Sequence, residues 1–419
     1  MTRNCIRAET DDGTLLYNTL TGEMILAENG ELSLSSPLTR EQLIEKRFLV
    51  PEDLDENSLA ETVRQIVSTL RARDAHITGY TILTTTDCNA RCFYCYEAGV
   101  RKLQMSPETA EKTAEHIIAS CGNEKVNINW FGGEPLLGKE VITLICYRLS
   151  EAGVRFKSRI TSNGFLFDRE TAFEAAEKWH LEKAQITLDG TREVYNRAKN
   201  YVNGGPDPFG RVMGNIGHLL EAGITVQARL NLNRDNFGDL MSLADLLGGK
   251  FGGNANFFAY PVPLRTFEND AGEFEDWRDE IKAYRALKDK LSSLGAGRPD
   301  VLRPDFSSVR CMADNATCEV IHPDGKVAKC EHFDETLVIG DVFSPGRDNT
   351  LIGKWKERVF FENCGQCPMR PMCINLKLCP WSRFGCTESI RILRIRNMQD
   401  KMRNYYLNTK TGLGTPQEL

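Results

Sequence analysis

Three cysteines carry the first chemical signal of this 419-residue chain. In TTTDCNARCFYC, Cys88, Cys92 and Cys95 stand three and two residues apart. Thiolates so spaced are metal ligands, and a structural zinc site is normally closed by four. Three leave a coordination position open, and an open position permits chemistry. Of the 14 cysteines, eight more crowd between Cys311 and Cys386, while Cys5, Cys121 and Cys146 are scattered. Eight divide into two closed sets of four. The opening MTRNCIRAETDDG lacks the apolar stretch of a signal peptide, and no apolar run reaches the roughly 18 residues that span a bilayer. Both features predict a cytoplasmic protein without a membrane partner, whose thiols are reduced, so ligation explains the crowding better than disulfides. A net charge of −6 argues against a dedicated nucleic-acid binder.

Such ligands need a frame. Between residues 78 and 265 apolar strand patterns alternate with helical ones, at 80–86, 126–131, 155–162, 184–189, 225–233 and 255–262. Six βα units in succession predict an α/β fold, a partial (β/α)6 TIM-type barrel with functional loops at the strand C-termini. Ser106, Pro107 and Glu108 start the first barrel helix, which is expected to bury Ala110, Ala114, Ile117 and Ile118. A charged bridging helix completes a core domain over 78–295. Ahead of it, residues 1–77 predict a small α+β, winged-helix-like module. It has strands at LLYN and EMIL, a helix begun by Thr39, and a second helix with Leu59, Val63, Ile66, Val67 and Leu70 on one buried stripe. Residues 296–390 form the cysteine-rich domain. Residues 391–419 hold a basic helix and tail, with Ile395, Met398, Met402 and Tyr405 sharing a face.

C-x3-C-x2-C directly after the first barrel strand, with Tyr94 before the last cysteine, resembles the radical S-adenosylmethionine (SAM) superfamily. The resemblance implies a 4Fe-4S cluster on Cys88, Cys92 and Cys95 whose free iron binds SAM, and reductive cleavage of SAM to a 5'-deoxyadenosyl radical. The second strand ends in FGGEPLL, where Gly132, Gly133 and Glu134 match the motif that contacts the methionine ammonium. Ser162 and Asn163 of TSNG, Thr187 and Asp189 of TLDG, and Arg211 match further cofactor-contacting segments, Thr187 and Asp189 at the ribose and Arg211 near the SAM carboxylate. On the residues alone, Asn163 and Asp189 each precede glycine and serve equally well as turn residues.

The second group of cysteines resembles the SPASM extension, which carries two auxiliary 4Fe-4S clusters. Carried over by position, one cluster takes Cys311, Cys318, Cys330 and Cys379, the other Cys364, Cys367, Cys373 and Cys386. Five residues separate Cys373 from Cys379, a wider gap than the family's. Glu331, after Cys330, occupies the place of a basic aspartate in sulfatase-maturating relatives, although an exposed surface acid reads the same way. SPASM enzymes act mostly on peptides. The expected function is therefore hydrogen abstraction from a ribosomally made precursor peptide, closing a thioether or carbon–carbon crosslink. The partners implied are a precursor whose leader binds the N-terminal module, and an electron donor such as flavodoxin or ferredoxin. A formylglycine-generating sulfatase maturase is the alternative, and a zinc-holding interaction protein the alternative of another class.

Overall fold

The computed structural model describes residues 1–27, 40–72, 75–265, 274–298, 311–332, 335–373 and 375–410. Thr39, part of the bridge before residue 274 and the tail beyond 410 lie outside the described residues. The chain opens with β1 (Cys5–Thr10), β2 (Gly13–Asn18), β3 (Met24–Ala27), α1 (Arg40–Glu45) and α2 (Glu56–Ala72). Then come β4 (Gly79–Thr85), α3 (Pro107–Ser120), β5 (Val126–Gly132), α4 (Lys139–Glu151), β6 (Phe156–Ser162), α5 (Arg169–Lys178) and β7 (Leu181–Leu188). They are followed by α6 (Arg192–Lys199), α7 (Pro208–Glu221), β8 (Thr225–Leu232), α8 (Phe237–Phe251), β9 (Phe257–Pro263) and α9 (Trp277–Ser293). The last elements are β10 (Cys318–Ile321), β11 (Lys326–Ala328), β12 (Gly340–Asp341), α10 (Asn349–Lys354) and α11 (Glu388–Lys410).

These elements form two units. Ala75–Arg298 and Thr317–Gly353 make one, and Met1–Asp74, Pro299–Ala316 and Lys354–Leu419 the other. The segment 296–390, expected as one cysteine-rich domain, contributes to both.

In the larger unit β4 to β9 pair in chain order, all parallel, as a partial TIM-type barrel. Along β5 to β9 buried residues largely alternate with more exposed ones, and Ile128, Trp130, Ile160, Ile186 and Leu230 belong to the buried set, as does Ile82 of β4. Ser106 caps α3 by accepting from the Thr109 N–H at 3.0 Å, with Pro107 in its first turn. Ile118 departs from expectation: it is exposed, and Thr109 and Thr113 fill the buried face beside Ala110, Ala114 and Ile117.

The sheet continues past β4. β10 lies parallel to β4, and β11 and β12 follow antiparallel, giving nine strands. A buried triad fastens this edge. Glu319 accepts from Arg347 Nε at 2.8 Å, and His116 Nε2 of α3 stands 2.8 Å from Glu319 and 2.9 Å from Arg347. Burial pushes the Glu319 carboxyl up, but hydrogen bonds from His116 and Arg347 outweigh it and hold it at about 2, against 4.5 for the free residue. The folded state therefore binds fewer protons between those values. The stabilisation is complete above about pH 4.5 and is lost as pH falls toward 2, by roughly 3 kcal/mol. In urea titrations Glu319→Gln is expected to flatten this acid limb and to cost roughly 3 kcal/mol at neutral pH, because Arg347 loses its buried partner. An acid limb as steep as in the parent would refute the assignment.

In the smaller unit β1, β2 and β3 form an antiparallel sheet in that order. Met398 and Met402 of α11 are buried against Ile6, Ala8, Leu15 and Tyr17, with Ile395 and Tyr405 packed alongside. The two ends of the chain thus share one core. The stripe expected on α2 is not the buried one: Ile66 and Leu70 are exposed, and Glu56, Ala60, Arg64 and Ser68 face inward. A polar network decides the face. Arg64 pairs with Glu61 at 2.6 Å and donates to the Lys356 carbonyl, and Glu61 also pairs with the buried Arg358 at 3.3 Å.

Candidate cluster and cofactor sites

β4 ends at Thr85, and the chain enters the loop of Cys88, Cys92 and Cys95. The backbone of the next strand end holds that loop. The N–H of Gly133 donates to the Thr85 carbonyl at 3.1 Å and that of Glu134 to the Asp87 carbonyl at 2.9 Å. Gly132 has φ +120°, and a Cβ there would collide with the Thr85 oxygen; one on Gly133 would strike the Asp87 oxygen. Both glycines are thus required by the loop backbone itself. The Asn163 amide donates to Asn89 Oδ1 at 2.7 Å and lies 3.9 Å from the Cys88 sulfur. The Val202 N–H donates to the Asn89 carbonyl at 2.8 Å. Burial first, then the charges of Glu134, Cys92 and Cys95, push the Cys88 thiol up to about 12. The three thiols are therefore within electrostatic reach of one another.

Glu134 is fully buried and ties two strand ends together. Oε1 accepts from the Ser162 hydroxyl at 2.9 Å and from the Leu136 N–H, while Oε2 accepts from the Asn163 N–H at 2.9 Å. Burial raises its carboxyl to about 7 against those hydrogen bonds. A carboxylate oxygen can accept more than one hydrogen bond, so Oε2 retains capacity for an ammonium.

Thr187 and Asp189 are occupied by a residue that the sequence reading passed over. Lys199, 2 % exposed, ends α6, where Asn200 adopts the left-handed conformation that stops a helix. Its ammonium donates to Thr187 Oγ1 at 2.7 Å and to the Tyr94 hydroxyl at 3.0 Å, and forms an ion pair with Asp189 Oδ2 at 3.0 Å. Asp189 Oδ1 accepts from Tyr94 at 2.7 Å and from Asn231 at 2.9 Å. Burial opposes the Lys199 charge, but Asp189, Tyr94 and Cys92 more than compensate and hold the ammonium protonated. Tyr94 of the cysteine loop thus donates to Asp189, the residue just past β7, and also accepts from Asn231 of β8 at 3.1 Å. Arg211 is exposed on α7 with its guanidinium 4.2 Å from the Phe165 ring centre.

The β10–β11 hairpin pairs Val320 with Ala328; Cys318 begins β10, and Cys330 stands two residues past the end of β11. Gly325 makes the turn with φ +87°. Glu331 is next to Cys330, whose thiol lies 3.8 Å from its Oε2. The rings of Tyr96 and His332 are 4.2 Å apart. Glu97, also unmarked in the sequence, is the carboxyl shifted here: burial raises it to about 7, helped by the charge of Glu331 and opposed by a Tyr96 hydrogen bond.

Cys364, Cys367, Cys373 and Cys386 line one cavity in the smaller unit. Four thiols around one cavity are the donor set that a four-ligand 4Fe-4S cluster requires. Thr19, Arg3 and Asn57 brace its loop by donating to the carbonyls of Pro368 and Gly365. Cys311 and Cys379 belong to this unit, Cys318 and Cys330 to the other. The 14 thiols are free, and among the described residues no three His, Cys, Asp or Glu side chains converge tightly enough for a single ion. No described helix is long and apolar enough to cross a membrane.

Residues 82–247 match the family described as the radical SAM superfamily. Over 166 residues the chain is 30% identical to an Fe-coproporphyrin III synthase of Methanosarcina barkeri, a stretch that spans 39% of each protein. A probable GTP 3',8-cyclase of Pyrococcus abyssi is 25% identical over 68% of this chain and 94% of its own. Among solved structures, anSMEcpe with bound AdoMet superposes with a TM-score of 0.59 at 15% identity, covering 78% of this chain and 96% of that one. Streptococcus suis SuiB bound to precursor peptide SuiA gives 0.56 at 13%, covering 93% and 97%. At such identities the likeness is one of fold.

Proposed function

We propose, from the radical SAM superfamily domain that the chain carries over residues 82–247, that it is a SAM-cleaving enzyme that abstracts hydrogen from a ribosomally made precursor peptide and closes a thioether or carbon–carbon crosslink. When bound, a 4Fe-4S cluster on Cys88, Cys92 and Cys95 supplies the electron that breaks SAM. The chain's own residues do the rest. Glu134, with spare capacity at Oε2, receives the methionine ammonium. Asn163 and the Gly132–Gly133 backbone fix the thiol loop, and Tyr94, Asp189 and Lys199 anchor its far end.

The observation that carries the peptide reading is the cavity of Cys364, Cys367, Cys373 and Cys386. A barrel alone serves many substrates, and the match to the probable GTP cyclase does not choose among them. A second four-thiol site has a use where a substrate must be oxidised or held as well as activated. SuiB bound to its precursor peptide SuiA shares the fold over 93% of this chain, and that likeness of fold supports the same reading.

The test is anaerobic reconstitution, with about 12 irons per chain expected, followed by SAM, a flavodoxin-type donor, and any short peptide that sequencing finds encoded beside this gene. Release of 5'-deoxyadenosine together with a peptide lighter by the hydrogens lost on crosslinking is expected. GTP turnover without peptide turnover would favour a cyclase instead, and a few zincs per chain would defeat both. Glu331→Gln is expected to leave 5'-deoxyadenosine release intact and to lower peptide product roughly 100-fold, the span of a lost proton acceptor. Normal product from that variant removes Glu331 from the reaction, and Glu97→Gln then becomes the informative change.

A further inference from the structure

Three arginines share the cavity of Cys364, Cys367, Cys373 and Cys386, and none of the described residues lining it is acidic. Arg394 of α11 donates from Nη1 to the Cys373 sulfur at 3.1 Å. Arg391, nearly one turn earlier, faces the same space, although Glu388 holds its guanidinium at 2.6 Å and offsets part of its charge. Arg370 lies between Cys367 and Cys373 in the chain, its guanidinium 3.9 Å from the Phe360 ring centre.

A fourth cation is turned away. Arg358 has its side chain 4% exposed and pairs with Glu61, with one nitrogen donating to the carbonyls of Arg370 and Cys373. It shapes the ligand loop from behind, whereas the other three present charge to the cavity itself. The unequal partners predict unequal effects. Arg394 reaches a ligand sulfur directly and carries no counter-ion among the contacts described.

We propose that Arg370, Arg391 and Arg394 form a cationic collar that raises the reduction potential of the cluster at this site, with Arg394 contributing most through its bond to Cys373. This rests on the reading of the four cysteines as cluster ligands. Reduction adds one negative charge to a centre already ligated by four thiolates. Positive charge nearby, and N–H donors on the sulfurs, stabilise that added charge more than they stabilise the oxidised form. The site is thereby set to hold an electron.

The test is a redox titration of the anaerobically reconstituted full chain, following by electron paramagnetic resonance the signal that Cys386→Ser removes. In Arg394→Gln, at the parent's midpoint, the ratio of reduced to oxidised cluster is expected to fall tenfold or more, which is 59 mV for one electron. Arg394→Lys keeps the charge and is expected to fall by less, and Arg391→Gln by less than Arg394→Gln. Iron must stay at about 12 per chain in these variants. An unchanged midpoint in Arg394→Gln with full iron overturns the collar. If that variant loses iron, unshifted midpoints in both Arg394→Lys and Arg391→Gln overturn it. If Cys386→Ser keeps all its iron and every signal, the cluster reading itself fails and the collar with it.

Discussion

Cys88→Ala is expected to take about four of about 12 irons from the reconstituted chain and to reduce SAM cleavage to background. Cys373→Ala is expected to take about the same number of irons and to leave SAM cleavage in place. The contrast follows from where each thiol stands. Cys88 lies in the loop beside Glu134 and Asn163, whereas Cys373 lines the four-thiol cavity in the other unit. The Cys88 loop is held by bonds that need no sulfur: Gly133 to Thr85, Glu134 to Asp87, Asn163 to Asn89 and Val202 to Asn89. The variant should therefore fold, with an unchanged circular dichroism spectrum, and its loss is one of ligation. A thiol pushed up to about 12 must also release its proton to bind iron, so cluster assembly in the parent is expected to quicken as pH rises. Full iron and full cleavage in Cys88→Ala would sink the three-cysteine reading.

The barrel was legible because most of its strands alternate apolar with polar residues between turn signals, with the buried set falling largely on every second position. Their order also reads directly, since short βα connections place consecutive strands side by side. The strands added beside β4 were hidden for the opposite reason. β11 and β12 have three and two residues, too few to show a period. The exposed Ile66 and Leu70 show how periodicity can name the wrong face: α2 turns inward the arginine that pairs with Glu61, and the apolar stripe is displaced. Lys199 was invisible because a lysine at a helix end is ordinarily a solvated cation. Its carboxylate partner lies ten residues upstream at the end of β7, where only the fold of the strand–helix crossover brings them together. The packed face of the basic helix, with Ile395, Met398, Met402 and Tyr405, was legible from its spacing, but the place of Arg394 was not: only the fold sets the start of that helix against the four-thiol cavity. The N-terminal module read as a separate leader-binding element. Its contacts through Thr19, Arg3 and Asn57 make it a support for the Cys364–Cys373 loop. Deleting it would unfold that loop as well as remove any leader site, so leader binding must be tested by surface substitutions on β3, a terminal strand of its sheet among the described residues.

Lys199→Met is expected to destabilise the chain by roughly 3–5 kcal/mol, the span for removing one partner of a buried ion pair. Asp189, 2 % exposed, would keep its bonds from Tyr94 and Asn231 but lose the ammonium that offsets its charge. Pairing the change with Asp189→Asn removes the uncompensated carboxylate, and the double variant should recover most of the loss in urea titrations. Catalysis is expected not to recover. Lys199 also stands within electrostatic reach of Cys92, and its ammonium anchors the Tyr94 hydroxyl of the cysteine loop. Neither methionine nor asparagine replaces a cation there. A double variant that is stable, loads about four irons on the Cys88 loop and still fails to cleave SAM would place Lys199 in the chemistry of that site. If it is stable and cleaves SAM at the parent's rate, the Lys199–Asp189 pair only props the barrel, and a Lys199→Met variant within about 0.5 kcal/mol of the parent would show that it does not do even that.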